Sequence, residues 1–206
     1  MKEILIATSN IGKFNEIKEI LEAVSDSFKL ISLKDFELRH GMKFGEPIED
    51  GETFEDNALI KAKYYFEKSG GMLTLAEDSG IIVDELKGEL GVKTRRWGAG
   101  EKANDQEWIE FFMNRMNGVE NRAAEFVCCG CLMQKNLVKF FRGETKGTIT
   151  SQLEAEIVAG IPLSSCFRPD GLDRVYSALS VEEKNKISHR GKAISHVAEM
   201  LKDLIA

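Results

Sequence analysis

Four short stretches of the 206-residue chain carry residue types that can do chemistry on a phosphate. The first is Thr8-Ser9-Asn10-Ile11-Gly12-Lys13. Between a strand and a helix, such a turn presents free backbone N–H groups and the positive end of the helix dipole to an anion. Thr8, Ser9 and Asn10 add side-chain donors, Gly12 lets the backbone come close, and Lys13 supplies a full charge. The same residues also suit a plain capped helix start with a solvated lysine. The turn matches neither G-x-x-x-x-G-K-[ST] nor G-x-G-x-x-G, so P-loop and Rossmann readings fail.

The second stretch is Glu77-Asp78-Ser79-Gly80, expected at the end of a strand. Adjacent acids at the carboxyl edge of a sheet suit magnesium, which is held through one or two carboxylates plus substrate phosphate oxygens. One carboxylate can also orient or deprotonate an attacking water. An ordinary polar turn has the same composition. The third stretch is a helix from Thr53 to Lys68, in which Asn57 and Lys61 are four residues apart and share a face. The loop before it offers Glu46, Glu49 and Asp50 as further magnesium candidates, each of which read alone is solvated surface. In the fourth, Lys184-Asn185-Lys186-Ile187-Ser188-His189-Arg190-Gly191, Ser188 caps the last helix and puts His189 and Arg190 in its first turn. Cations there oppose the helix dipole at a cost of up to about 1 kcal/mol unless an anion sits among them. The Arg190 guanidinium is a fork of donors suited to a phosphate or a base carbonyl, though the segment also fits a basic solvated corner.

The elements that must position these residues follow from the hydrophobic pattern. A short strand over Glu3–Ala7 precedes a helix with Phe14, Ile17, Ile20, Leu21 and Val24 on one stripe. A second strand over Phe28–Leu33 leads to a Gly- and acid-rich loop from Arg39 to Gly51. Thr53 with Asp56 forms a capping box, and Gly70-Gly71 stops the helix. Met72–Ala76 reads as a strand, continued by Ile81–Val83, and Asp105–Met116 as a helix. Ala124–Gln134 and Leu137–Arg142 read as a hairpin, and Glu144–Gln152 as a further strand. Ser180 with Glu183 opens a short helix. The last helix buries Ile194, Val197, Ala198, Leu201, Leu204 and Ile205. The whole is mixed α/β in one domain, residues 1–206.

Composition bounds the function. Apolar residues make up 43% and charged residues 30%, ordinary for a folded soluble protein. A net charge of -6 argues against nucleic acid or an anionic membrane surface as the main partner. The apolar run at the N-terminus is too short for a signal peptide, and no later stretch is long enough to span a membrane, so a cytoplasmic protein is expected. Cys128, Cys129, Cys131 and Cys166 lack the paired spacing of a zinc site and read as free, buried thiols.

Taken in order, these stretches resemble the inosine/xanthosine triphosphate pyrophosphatase family, the Ham1-like house-cleaning nucleoside triphosphatases. The resemblance rests on Ala7–Lys13, Thr53–Ala62, Glu77–Gly80, Gly91-Val92 through Arg96-Trp97, Glu125–Cys128 and Glu182–Gly191, and covers nearly the whole chain. It implies an elongated mixed β-sheet flanked by helices, with two lobes around a central cleft, and a homodimer. It also implies magnesium-dependent hydrolysis of noncanonical purine nucleoside triphosphates (ITP, dITP, XTP) to the monophosphate and pyrophosphate. Residue by residue, Thr8, Ser9, Asn10, Ile11, Gly12 and Lys13 would hold the triphosphate. Asp78 would be the essential carboxylate and a metal ligand, with Glu49 the second ligand. Asn57, Lys61 and Ser79 would contact substrate, and Lys184, His189 and Arg190 would close over the nucleotide. The family carries a Gly-Phe-Gly-Tyr-Asp-Pro-like stretch on the base, where this chain has Gly160–Phe167, with Leu163 for the aromatic and Ser164 for the acid. Phe167, Trp97 or a shifted loop are the alternatives left open to substitute for it. Two other readings remain open: a pyrophosphatase for a different modified nucleotide, and a nucleotide-binding protein without turnover.

Overall fold

The computed structural model describes residues 2–24, 28–100 and 103–203. A six-stranded mixed sheet has the order β2-β1-β3-β4-β5-β6. Its strands are β1 (Lys2–Ile6), β2 (Phe28–Ser32), β3 (Thr74–Val83), β4 (Ala123–Gln134), β5 (Leu137–Ile149) and β6 (Phe167–Pro169). Strand β1 runs parallel to both neighbours, and the pairs from β3 to β6 are antiparallel. The helices are α1 (Ile11–Val24), α2 (Leu33–His40), α3 (Phe54–Lys68), α4 (Asp105–Arg115), α5 (Val181–Ile187) and α6 (His189–Asp203).

Strand β1 is apolar on both sides because both of its faces are covered, as parallel strands require. Ile4 and Ile6 pack with Ile17, Leu21, Ile194, Val197 and Leu201 of α1 and α6. Leu5 and Ala7 pack on the opposite face with Phe36, Ala58, Ala62 and Tyr65 of α2 and α3. A separate core at the far ends of β3 and β4 gathers Ile81, Val83, Leu86, Trp108, Phe112, Phe167 and Tyr176. Fully burying one such large apolar side chain is worth roughly 1.5–3 kcal/mol, so each cluster stabilises its own lobe. The long antiparallel strands run through both lobes and tie them together.

Several elements depart from the pattern-based expectation. The stretch expected as a loop from Arg39 begins inside α2, bracketed by Ser32, whose hydroxyl accepts from Asp35 N, and by Gly41 in the left-handed region at φ 62°. Only the remainder, from Met42 on, is irregular. Strand β5 is one element to Ile149, where two separate strands were expected. Gly143, which reads as a break, sits where α6 crosses: a Cβ there would lie 2.1 Å from the His189 carbonyl oxygen. Strand β3 does not end before Glu77; it continues through Glu77-Asp78-Ser79-Gly80, paired with Gly130 to Val127 of β4. The capping boxes at Thr53 and Ser180 form as expected. Leu204 and Ile205 lie outside the described residues.

Candidate active site

Strand β1 leaves the sheet after Ile6, while β3 continues beyond it. At Ile81 the freed edge of β3 is met by the Thr94 hydroxyl, which accepts from Ile81 N at 3.0 Å. Between these points a cleft of about 570 Å³ opens along Glu77–Gly80. That volume suits a small organic ligand.

Neighbouring strand residues point to opposite faces, and this splits the two acids. Glu77 faces α1 and α6, with Lys13 Nζ at 2.7 Å and Arg190 Nη2 at 3.5 Å. Asp78 faces α3. There Lys61 Nζ donates to Oδ1 at 2.9 Å and Asn57 Nδ2 to Oδ2 at 3.3 Å, so the shared face of the i, i+4 pair meets one carboxylate. Lys61 also donates to Glu49 Oε2 at 2.8 Å. The adjacent acids therefore do not share one metal-binding edge. Glu49 and Asp78, brought together by Lys61, are the paired carboxylates. Glu46 also lines the cleft, whereas Asp50 does not.

Two charge groupings of opposite sign result. On the Glu77 side, Arg190 and Lys184 both donate to the carboxylate of Glu16, a residue of α1 buried beneath Lys13. Lys13, Lys184 and Arg190 thus face two acids, Glu16 and Glu77, leaving one positive charge uncompensated. On the Asp78 side, Lys61 alone donates to the carboxylates of both Asp78 and Glu49, leaving one negative charge among these three side chains, with the Arg96 guanidinium close by on the Glu49 carbonyl oxygen at 2.9 Å. Burial acts to raise the Glu77 pKa, but Lys13, Arg190 and Lys61 outweigh it and hold the carboxyl well below the usual carboxylate range. Burial likewise opposes ionisation of Glu16, and Arg190 and Lys184 overcome it. Desolvation works against the Lys61 ammonium, yet Asp78, Glu49 and Glu77 raise its pKa above the ordinary value.

The first turn is built tightly. Asn10 Oδ1 accepts from Lys13 N at 3.0 Å, capping α1, and Asn10 Nδ2 donates to the Gly160 carbonyl at 2.8 Å. A Cβ on Gly12 would lie 2.5 Å from the Ala159 carbonyl oxygen, so the close approach that Gly12 permits is to the 159–161 loop. Thr8, Ser9, Asn10 and Lys13 line the cleft; Ile11 and Gly12 do not. Ser79 lines it and accepts from Arg190 Nη2 at 2.8 Å, while Asn57 stands behind Asp78, its Oδ1 accepting from Gly51 N.

Ser188 caps α6 through Gly191 N, as expected, but the dipole conflict predicted for its first turn is resolved inside the protein. His189 is buried, and desolvation, then Arg190, push its pKa well below the ordinary histidine value, which favours the neutral ring. Its ring stacks on Phe126 with centroids 4.6 Å apart and planes 11° from parallel. The anions beside Arg190 are Glu16 and Glu77. Lys184, His189 and Arg190 all line the cleft.

The Ham1 family model matches residues 4–200. The chain belongs to the Ham1 family. It is 36% identical over 212 residues to the dITP/XTP pyrophosphatase of Corynebacterium glutamicum, covering 99% of this chain and 98% of that protein. It is 35% identical over 205 residues to the dITP/XTP pyrophosphatase of Bacillus subtilis, with 98% of each covered. The solved Ham1 protein of Staphylococcus aureus superposes with a TM-score of 0.77 at 32% identity, covering 98% of this chain and all of that one. The HAM1 protein of Coxiella burnetii gives 0.79 at 29% identity with the same coverage. The mixed sheet and two-lobed cleft are those of the Ham1 fold.

The 160–167 stretch of this Ham1 chain forms one end of the cleft through Gly160, Ile161, Pro162, Leu163 and Ser164. Leu163 is buried, and the Ser164 hydroxyl is turned back to the Ile161 carbonyl at 2.7 Å. Phe167 is wholly buried in the second lobe and Trp97 does not line the cleft; the aromatics that do are Tyr65, Trp108, Phe126 and Tyr176. Sequence reasoning gave Glu16, Trp108 and Tyr176 no part in the site, and left Phe126 without a role. An acid on the otherwise apolar stripe of α1, one turn below Lys13, was the one signal available for Glu16. Among the described residues no helix is long and apolar enough to cross a membrane.

Proposed function

We propose that this Ham1 pyrophosphatase hydrolyses noncanonical purine nucleoside triphosphates (ITP, dITP and XTP) to the monophosphate and pyrophosphate, with magnesium. The observation that carries the reading is the paired charge pattern across β3. A surplus cation group lies beside the first turn, and a surplus carboxylate pair lies beside α3, both on one cleft. The positive group suits a triphosphate and the negative pair suits a divalent cation.

Among the described residues no cluster of three or more metal-type side chains occurs. Glu49 and Asp78 nonetheless fit magnesium, which takes one or two carboxylates and completes its shell with phosphate oxygens and water. Bound there, the ion supplies charge neutralisation on the triphosphate. The chain's own residues do the rest. Thr8, Ser9 and Lys13 grip the phosphates, and Lys61 and Asn57 fix the orientation of Asp78. Asp78 takes the proton of a water whose oxygen attacks the α-phosphorus. The α–β anhydride bond breaks, and pyrophosphate leaves as that bond's electron pair settles on its oxygen, with Lys13 stabilising the charge. Lys184, His189 and Arg190 close over the nucleotide. The reading carries with it a homodimer acting in the cytoplasm.

The test is pyrophosphate release from ITP, dITP, XTP, ATP and GTP with magnesium, where ITP and XTP are expected to exceed ATP. Equal rates across the panel would remove the 6-keto preference and favour the second reading, a pyrophosphatase for another modified nucleotide. Leu163 and Ser164, which place no aromatic face and no carboxylate at the base end, are the observation on that side. Sizing chromatography checks the dimer.

A further inference from the structure

The two ends of the cleft meet at Gly160. From the first lobe, Asn10 Nδ2 donates to the Gly160 carbonyl at 2.8 Å, while Oδ1 of the same side chain accepts from Lys13 N at 3.0 Å. From the second lobe, Asp105 Oδ2 on α4 accepts from Gly160 N at 2.6 Å. Both polar groups of one residue are thus taken by side chains from opposite lobes. The fit leaves no slack: Gly160 has φ 80°, and a Cβ on it would lie 2.4 Å from Asn10 Oδ1. Directly after it come Ile161, Pro162, Leu163 and Ser164, the wall of the base end. Leu163 and Cys166 anchor that wall in the second core, so its register on the first turn is set at Gly160. Asp105 is itself braced, with Arg95 Nη2 at 3.5 Å from its Oδ1 and held in turn by the Ala103 carbonyl at 2.9 Å. The start of α4 does not depend on Asp105, because Asn104 and Glu107 form its capping box. Asn10, Arg95 and Gly160 line the cleft and Asp105 does not, so Asp105 reaches a ligand only through the wall.

We propose that Asp105 is a positioning residue: through Gly160 it sets the base-end wall against the phosphate turn, so that base and triphosphate are gripped in one register. This rests on the reading of the cleft as a nucleoside triphosphate site. A hydrogen bond to a carboxylate is stronger than one between neutral groups, which suits the Asp105–Gly160 bond to fixing a loop. Without it the turn keeps its own cap, Asn10 on Lys13 N, and still grips phosphate. The wall, left to Asn10 alone, loses its register on the turn. A ligand that spans both ends is then weakened, because misplacing a positioned group costs binding that contacts elsewhere do not restore. A ligand confined to the phosphate end is spared.

The test is calorimetric titration of the full chain with two probes. One is α,β-methylene-ITP, which spans base and phosphates and lacks the bond the reaction breaks; the other is inorganic tripolyphosphate, which has no base. In Asp105→Ala the Kd of the nucleotide analogue should rise about tenfold, and that of tripolyphosphate by no more than about twofold. Asp105→Asn keeps the acceptor and should restore the analogue to within about threefold of the parent. Should Asp105→Ala fail to fold, Asp105→Ser, too short to reach Gly160 and tolerated at a helix start, takes its place. Two Kd values that rise together, an unchanged analogue Kd, or a loss in Asp105→Asn equal to that in Asp105→Ala would each overturn the role. If that happens while the parent releases pyrophosphate from ITP, Asp105 falls and the pyrophosphatase reading stands. If the parent hydrolyses no triphosphate but the two Kd values part as expected, the positioning role stands and the hydrolytic reading falls.

Discussion

Glu77 and Asp78 are neighbours in β3 yet belong to different charge systems: Lys13 stands 2.7 Å from the first and Lys61 2.9 Å from the second. The period of a strand, two residues, enforces the split. Substitution should therefore separate them. Asp78→Asn should lower kcat for pyrophosphate release by about 10²–10⁴-fold, the usual worth of a positioned general base, and leave the fold intact. Glu77→Gln leaves the buried Arg190 short of a counter-charge and should cost about 3–5 kcal/mol of stability. Steady-state rates paired with urea unfolding of both variants check this. The reverse ranking would overturn the assignment of roles.

Glu49 shares Lys61 with Asp78 but is the more exposed of the two acids. If it supplies a metal ligand, Glu49→Gln should raise the magnesium concentration for half-maximal rate by about tenfold or more, while the rate at saturating magnesium drops less. Titrating magnesium at fixed, saturating ITP measures it. An unchanged magnesium requirement would move the ligand role to another residue.

The sequence shows these groups unevenly, and the reasons are physical. Capping is local chemistry, so Thr53, Ser180 and Ser188 marked helix starts that the structure contains. Asn57 and Lys61 were legible as a pair because helical spacing is fixed at short range. The continuity of β3 and β5 was hidden by Glu77–Gly80 and by Gly143, whose polar or small character is set by what packs across them from remote segments. The counter-charges of Arg190 were hidden for the same reason, since Glu16 lies 174 residues away. Sequence alone could pair Arg190 with a ligand only.

Gly12 illustrates that distance between local and tertiary causes. Gly12→Ala forces a methyl within 2.5 Å of the Ala159 carbonyl, where backbone has to yield. A loss of about 1–3 kcal/mol is expected, with KM for ITP raised through displacement of the Gly160–Ser164 wall. A thermal melt and a Michaelis curve on the variant decide it. Unchanged stability together with weakened phosphate binding would return Gly12 to the anion site.

Acid should destabilise the protein in two stages. Folded, His189 resists protonation because burial and Arg190 lower its pKa, while in the unfolded chain it titrates near 6.5. Below pH 6.5 the unfolded state binds more protons than the folded state, so unfolding free energy falls as pH falls. The buried Glu16 and Glu77 are held below the ordinary value of 4.5. Their contribution is fully present above pH 4.5 and is lost as pH drops from there toward their folded values. Urea midpoints should therefore decline gently from pH 7 to 5 and steeply below 4.5. His189→Gln should flatten the first stage and leave the second. A variant whose decline between pH 6.5 and 5 matched the parent would show that this stage belongs to other groups.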